Sequence, residues 1–382
     1  MKLLQVSAAL ETSFGGPPTV VLNSHKNLMN QGIDVSLLVV GQRSRSFHEN
    51  PEIQNLLGEN VHLFPSRRSG LYGKILSLGE IIKFYKLIVQ ADCVLTHQLY
   101  NFQNIYLMII AKLVNKPFIL MPHGTLTHYQ KNQHRFRKLL VDNIFFNRFI
   151  ENTNAIAVAT NAEMNQLGIK LSRKAIKIGI GINEMKAELI FRDTPSMFNF
   201  LYIGRLDPIK RVDLTLIAFS RFLLKYPNSC LRIAGDGDPK IVRTLHELVM
   251  DLKISEKVQF MGWVYGEQKS VIFTRSDFII LNSEKENFAI GIAEGQSFGL
   301  PALVTRFVAF SEIVEEYGSG VVVETLSVES IFEGMVKLVN LDYAVLSNNS
   351  LRAAKSTSWP VVIPNWIDLV TSVIAIRRDD AK

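Results

Sequence analysis

The chain has 382 residues, 47% of them hydrophobic and 20% charged, a length and composition that exclude a single small core and a disordered chain and imply two domains. Its two cysteines, Cys93 and Cys230, form no disulfide framework or zinc motif and read as buried thiols of a reducing compartment. The net charge of +7 lies wholly in residues 1–170, with 17 basic and 10 acidic residues against 25 of each in the remainder, so the first half suits a phosphate-bearing partner such as nucleic acid, anionic lipid or a pyrophosphate-linked acceptor.

Met1–Val6 reads as a strand, and Gln5 and Ser7 interrupt what would otherwise be a signal peptide, which points to a cytoplasmic protein. Gly15-Gly16-Pro17-Pro18 follows it and opens a helix over Thr19–Gln31, where exposed amides can approach a phosphate or an acceptor. The glycines do not form a Gly-x-Gly-x-x-Gly fingerprint, and a plain loop has the same composition. Further strands are expected at Val35–Val40, Val61–Phe64, Cys93–Thr96, Phe118–Met121 and Ala155–Ala159. The apolar run Ile105–Val114, inside a helical pattern at Asn104–Val114, is broken by Lys112 and falls short of the roughly 20 residues of a bilayer span, so no membrane-spanning helix is expected. His97 and His123 each follow a strand, where functional groups gather in this architecture; a structural histidine sits there equally well, and His97 reads as support for His123. From Lys131 to Phe149 basic residues alternate with Phe and Leu, a pattern of an interfacial helix and equally of an ordinary surface helix.

Residues 170–197 carry the boundary: the basic stretch Lys170–Lys177, the glycine-punctuated Ile178–Asn183 and the linker composition of Asp193-Thr-Pro-Ser. Strands then recur at Asn199–Ile203, Cys230–Ala234, Val258–Gly262, Phe278–Leu281, Ala302–Thr305 and Gly320–Val323, with helices at Arg211–Lys225, Pro239–Leu252 and Val328–Leu341. A closing helical stretch, Trp359–Arg377, has Pro364 inside it and is expected to kink or split. Such alternation makes an α/β chain of two doubly wound parallel sheets, with ligands at the carboxyl ends of the strands.

Three loops carry the chemistry. Gly204-Arg205-Leu206-Asp207-Pro208-Ile209-Lys210 offers a guanidinium fork and an ammonium that suit a diphosphate, although solvated loops of this kind are common. Asp236 and Asp238 resemble a metal-binding Asp-x-Asp, but Asp238 before Pro239 reads better as a helix cap, so no metal is expected. Glu286 and Glu294 are separated by seven residues. A helix beginning near Phe288 would place the second about 80° round and roughly 12 Å along from the first, with the first-turn amides of 287–290 between them as an anion site. That layout suits a ligand with a central phosphate and hydroxyls at both ends.

Taken together, Gly15-Gly16, Pro122-His123-Gly124, Gly204-Arg205 with Lys210, Ala234-Gly235-Asp236-Gly237, Phe260-x-Gly262-Trp263, Ser276-Asp277, Ser283-x-x-Glu286, Glu294-Gly-x-x-x-Gly-x-Pro301 and Ser358-Trp359 resemble the family-4 retaining glycosyltransferases of GT-B fold over nearly the whole chain. The resemblance implies two Rossmann-like domains facing across a cleft: 1–172 on the acceptor side, 173–357 binding the nucleotide-sugar, and a helix within 358–382 crossing back. It implies that Arg205 and Lys210 hold the donor diphosphate and that Glu294 binds the ribose. Glu286 would contact the transferred sugar, and the amides of Asn287, Phe288 and Ala289 would face the phosphates. Main chain at Trp263 and Val264 would meet the base, Gly16 would approach donor and acceptor, and His123 would lie beside the reacting sugar. No cofactor or metal is implied: the fixed cations take the metal's electrostatic part, and retention is ascribed to same-face attack. The donor would be a UDP- or GDP-linked sugar. The acceptor would be a glycan or polyprenyl-pyrophosphate-linked glycan of envelope or exopolysaccharide assembly, with peripheral contact at the inner face of the cell membrane through the basic N-terminal half. Nucleic acid has no recognition motif here. A non-catalytic nucleotide-sugar-binding partner, a nucleotide-sugar epimerase and a phosphorylase of the same fold remain alternatives. Ala289 stands where the family commonly has Gly, and Gly295 where it usually has Ala.

Overall fold

The computed structural model describes residues 1–8, 10, 16–41, 60–64, 74–126, 146–183 and 197–379. The chain divides into two compact units, Met1–Gly181 with Val362–Lys382, and Ile182–Val361.

The first unit holds a seven-stranded parallel sheet of β1 (Lys2–Ser7), β2 (Asp34–Val40), β3 (Val61–Phe64), β4 (Cys93–His97), β5 (Phe118–Met121), β6 (Ala155–Val158) and β7 (Ala175–Lys177), in the order β3-β2-β1-β4-β5-β6-β7. All five residues of β4 and all four of β5 are buried, as expected for strands covered by helices on both faces, and they read as continuous rather than alternating apolar runs. The order reverses between β1 and β4, the position at which open α/β sheets generally take their ligands. Among the elements not foreseen are a strand and a long helix of this unit. Strand β7 is only three residues long and half basic in its surroundings, and it pairs with β6 through Ile156, Ala157 and Val158. Helix Leu78–Gln90 begins at a complete capping box, with the Ser77 hydroxyl accepting the Glu80 N–H and the Glu80 carboxylate accepting the Ser77 N–H.

The second unit holds β8 (Asn199–Ile203), β9 (Cys230–Ala234), β10 (Val258–Gly262), β11 (Phe278–Leu281), β12 (Ala302–Thr305) and β13 (Gly320–Val323), all parallel in the order β10-β9-β8-β11-β12-β13. Its reversal falls between β8 and β11. Helix Pro239–Asp251 starts as expected, with the Asp238 carboxylate accepting the Lys240 N–H at 2.8 Å.

The unit boundaries fall at 181/182 and 361/362 rather than at 172/173 and 357/358. The cause is hydrogen bonding: β7 completes the first sheet, while Ile182 bridges Ser358 within the second unit. The closing helix, Trp359–Asp379, runs unbroken through Pro364. The carbonyl that Pro364 leaves without an intrahelical donor is that of Pro360, in the first turn, where the loss disturbs least. Trp366 and Asn365 donate to the carbonyls of Gly179 (3.2 Å) and Ile178 (3.4 Å), inside the first unit. By length and composition alone, Trp359–Arg377 is one helix that reaches a membrane span, which the reading of Ile105–Val114 did not consider. Trp359, Ile363, Trp366, Leu369 and Val370 are buried in the fold, and 39% of the apolar stretch is buried in all.

Candidate active site

At the reversal of the second sheet, two loops from neighbouring strands are held together by backbone hydrogen bonds. Beyond β8, Leu206 N–H donates to Asp236 O at 2.8 Å and the Tyr202 hydroxyl donates to Arg205 O at 2.9 Å. The Asp207 carboxylate accepts the Ile209 N–H at 3.2 Å and caps a 3-10 turn over Pro208–Lys210. The neighbouring loops are linked in turn, Gly204 N–H to Ala234 O (3.0 Å) and Gly235 N–H to Gly262 O (2.8 Å). A Cβ at Gly235 would collide with Gly204 O, and one at Gly237 with Leu206 O, so main chain lies against main chain here. Beyond β11, Glu284 N–H donates to Ile209 O at 2.8 Å, Glu286 N–H to Phe307 O at 3.2 Å, and Ala309 N–H to Glu286 O at 3.0 Å.

The result is a direct ion pair between Lys210 and Glu286, whose side chains are only 16% and 21% exposed. Arg205, 46% exposed, pairs with Asp207 at 3.2 Å on the same loop. Burial, with the Arg205 charge next and Asp207 opposing, lowers the Lys210 pKa to about 8. The ammonium is therefore still charged near neutrality.

Glu286 and Glu294 do not share a helix. Ala289 adopts a left-handed backbone (φ 69°, ψ 60°), and the helix runs over Ile290–Gln296, starting two residues later than Phe288. The expected 80° relation between the carboxylates therefore does not hold: Glu286 sits in an extended segment bridged to Val308. Among the described residues, the N–H groups of Asn287, Phe288 and Ala289 have no hydrogen-bond acceptor. A Cβ at Gly295 would come within 2.6 Å of Ile279 Cδ1, which accounts for glycine at this position. Glu294 pairs with Lys269 at 2.5 Å, with side chains 14% and 25% exposed. Lys269 was not anticipated; it lies on helix Gly266–Thr274, and only the fold brings it to Glu294. Trp263 and Val264 follow β10, two strands from β8 in the sheet order, with Trp263 stacked on Tyr265 at 6.4 Å. Among the described residues no three metal-ligating side chains converge.

In the first unit, Gly16 opens helix Gly16–Asn30, and Gly15 lies outside the described residues. His97, ending β4, and His123, following β5, form a pair: Nδ1 of His97 lies 2.9 Å from Nε2 of His123. The turn after β5 is clasped by a second unanticipated residue, the buried Glu163, whose carboxylate accepts the N–H groups of Gly124 (2.7 Å) and Ala159 (2.8 Å). Burial holds the pKa of His123 down to about 4, and burial together with the neighbouring His123 charge holds His97 well below the usual histidine range. Both rings are neutral at pH 7. Of the basic segment Lys131–Phe149, residues 131–145 lie outside the described residues, as does 193–196; Phe149 is buried in helix Asn147–Asn152.

Two family profiles match the chain, one described as Glycosyltransferase Family 4 over residues 14–178 and one as Glycosyl transferases group 1 over residues 184–355. An uncharacterized glycosyltransferase of Methanocaldococcus jannaschii is 24% identical over 322 residues, which is 82% of this chain and 84% of that protein. The N-acetyl-alpha-D-glucosaminyl L-malate synthase of Bacillus anthracis is 27% identical over 41% of this chain and 39% of its own length. Among solved structures, Anabaena HepE in complex with UDP and glucose superposes with a TM-score of 0.74 at 16% identity, covering 97% of this chain and all (100%) of that one.

Proposed function

The chain belongs to the group 1 glycosyl transferases of glycosyltransferase family 4, with two Rossmann-like units of GT-B fold, and from this we propose that it moves a sugar from a nucleoside diphosphate to a glycan or lipid-linked glycan with retention of configuration. The observation that carries the reading is the meeting of Lys210 and Glu286 at the strand reversal, with Arg205 on the same loop. Arg205 and Lys210 neutralise the diphosphate and the charge that grows on it as the sugar departs, without a metal ion. Glu286 binds hydroxyls of the transferred sugar, Glu294 the ribose, and the amides of Asn287, Phe288 and Ala289 the phosphates. The main chain at Trp263 and Val264 meets the base, and Gly16 and His123 serve the acceptor and the sugar. HepE, crystallised with UDP and glucose, makes UDP-glucose the first donor to try. The basic first half supports a phosphate-bearing acceptor and, with it, our reading of an enzyme that works in the cytoplasm at the inner face of the membrane, in assembly of envelope polysaccharide or lipopolysaccharide.

The deciding experiment follows nucleotide release from UDP- and GDP-sugars beside calorimetric binding of UDP and GDP. Glu294→Ala is expected to weaken nucleotide binding about 10–100-fold, the value of hydrogen bonds to a charged group. Glu286→Ala is expected to spare binding of the free nucleotide and to lower turnover. Nucleotide binding unmoved by both Arg205→Ala and Glu294→Ala would remove the site assignment.

Nucleotide affinity should also depend on pH through Lys210, whose pKa is about 8 in the free protein. The cation is present below that pH and lost above it, so affinity is expected to fall by up to about tenfold per pH unit beyond it. A bound diphosphate raises the pKa again, so binding at pH 8–9 should take up a proton, visible as a dependence of the binding heat on buffer ionisation. Lys210→Met should abolish that uptake.

A further inference from the structure

We propose that His97 is a positioning residue: its Nδ1–H donates to Nε2 of His123 and fixes His123 in the tautomer that carries its own proton on Nδ1. The functional consequence rests on the role given to His123 above; the tautomer itself does not.

The backbone holds the two rings edge to edge. His97 is the last residue of β4 and is paired in register with Met121, the last residue of β5. Gln98 N–H donates to Met121 O at 2.9 Å, which locks the two strand ends together. The chain then turns sharply: His123 stands at φ 50° and Gly124 at φ 78°. A left-handed backbone is disfavoured for a residue with a Cβ and persists when its surroundings enforce it. Here the enforcing group is the Glu163 carboxylate, which accepts the N–H of Gly124. The rings lie edge to edge in nearly one plane, with centroids 5.2 Å apart and planes 19° from parallel, so the nitrogen–nitrogen contact runs in the ring plane, where an N–H donates.

With both rings neutral, one nitrogen of the 2.9 Å contact must donate and the other accept. The other nitrogen of His97 decides which. His97 is fully buried, and its Nε2 has no hydrogen-bond partner among the described residues. A proton on Nε2 would bury an orphaned N–H, which is rarer in folded proteins than an unfilled acceptor. The proton of His97 therefore sits on Nδ1, and Nε2 of His123 is the acceptor. His123 then carries Nδ1–H, the form that free histidine populates less. At its remaining nitrogen it offers a hydrogen-bond donor to a sugar or acceptor oxygen, and it cannot take a proton there. This assigns His123 to orientation and charge stabilisation and excludes it as the general base.

The test has a spectroscopic and a kinetic arm. Long-range proton–nitrogen NMR of the ring-labelled protein, with His123 identified by the signal lost in His123→Asn, should show a protonated Nδ1 and a bare Nε2 at neutral pH. The reverse pattern overturns the proposal, whatever the protein transfers. His97→Asn keeps a donor close to the position of Nδ1, and His97→Leu fills the volume without one. In the Leu variant His123 should revert toward Nε2–H, and in the Asn variant it should not. Kinetically, His97→Leu is expected to lower kcat about 10–100-fold, as when the partner orienting a functional imidazole is removed, with KM for the donor nearly unchanged and His97→Asn recovering most of the rate. Equal rates for the two variants would end the positioning role even with the tautomer as stated. A wild-type protein that releases no nucleotide from any sugar donor overturns the transferase reading and leaves the NMR arm standing.

Discussion

Replacing Lys210 with alanine is expected to lower kcat by about 10²–10³-fold, the cost of removing one fixed charge or donor aimed at charge developing in a transition state. The ammonium is nearly enclosed and fixed by the 3-10 turn that ends in it, so no solvent rearrangement is needed when charge develops on the departing diphosphate. Its loss acts twice. The phosphate loses a cation, and the carboxylate of Glu286 loses its partner in a site where an unpaired charge is costly. KM for the sugar donor should therefore rise together with the fall in kcat, while Glu286→Ala should leave binding of the bare nucleotide intact. Lys210→Arg keeps the charge but places a broad planar fork where a compact ammonium fits, so it should restore nucleotide binding better than turnover. Steady-state kinetics of nucleotide release will check all three variants, and a Lys210→Ala enzyme within tenfold of wild type would exclude the residue from the chemistry.

Gly235→Ala is expected to destabilise the second unit by about 3 kcal/mol, the upper range for overpacking, which for a domain of this size lowers the thermal midpoint by roughly 6–12 °C. The glycine stands at φ 151°, and an added Cβ would meet the Gly204 carbonyl, a backbone atom that cannot swing aside as a side chain would. Relief requires the loop after β9 to part from the loop after β8, and the second of these carries Arg205 and Lys210. Nucleotide binding should weaken along with the midpoint. Scanning calorimetry with and without UDP will measure both. Gly168→Ala, where a Cβ meets nothing within 4 Å, serves as the silent control.

The sheets were legible because their strands are short and rich in Val, Ile and Phe, the central ones buried on both faces and the edge strands Val61–Phe64 and Val258–Gly262 only in part. Val61–Phe64, Phe118–Met121 and every strand of the second unit carry the expected bounds. Strand β7 was missed because Lys174 and Lys177 mask a three-residue run that pairs along one edge only. Helix Leu78–Gln90 had a readable start in Ser77 and Glu80, but it follows a stretch whose composition suggests no element. At the site, charge and spacing marked Glu286, Glu294, Arg205 and Lys210. Their pairing depends on which strands become neighbours, and only the reversal between β8 and β11 brings residue 210 to residue 286. Helical periodicity gave the wrong relation between the two glutamates because Ala289 takes a conformation that its side chain disfavours. Lys269 and Glu163 carried no local signal, since each acts on a group distant in sequence.

The first unit is discontinuous in sequence, and this sets the order in which the molecule is finished during synthesis. The second unit is a single contiguous stretch and closes its own core once that stretch has emerged from the ribosome. The first has all its strands early but lacks its final helix, because Trp366 reaches the carbonyl of Gly179 from 187 positions further along the chain. Until that helix arrives, the surface destined to receive Trp366, Leu369 and Val370 stays uncovered. The half that is translated first is thus the half that is completed last.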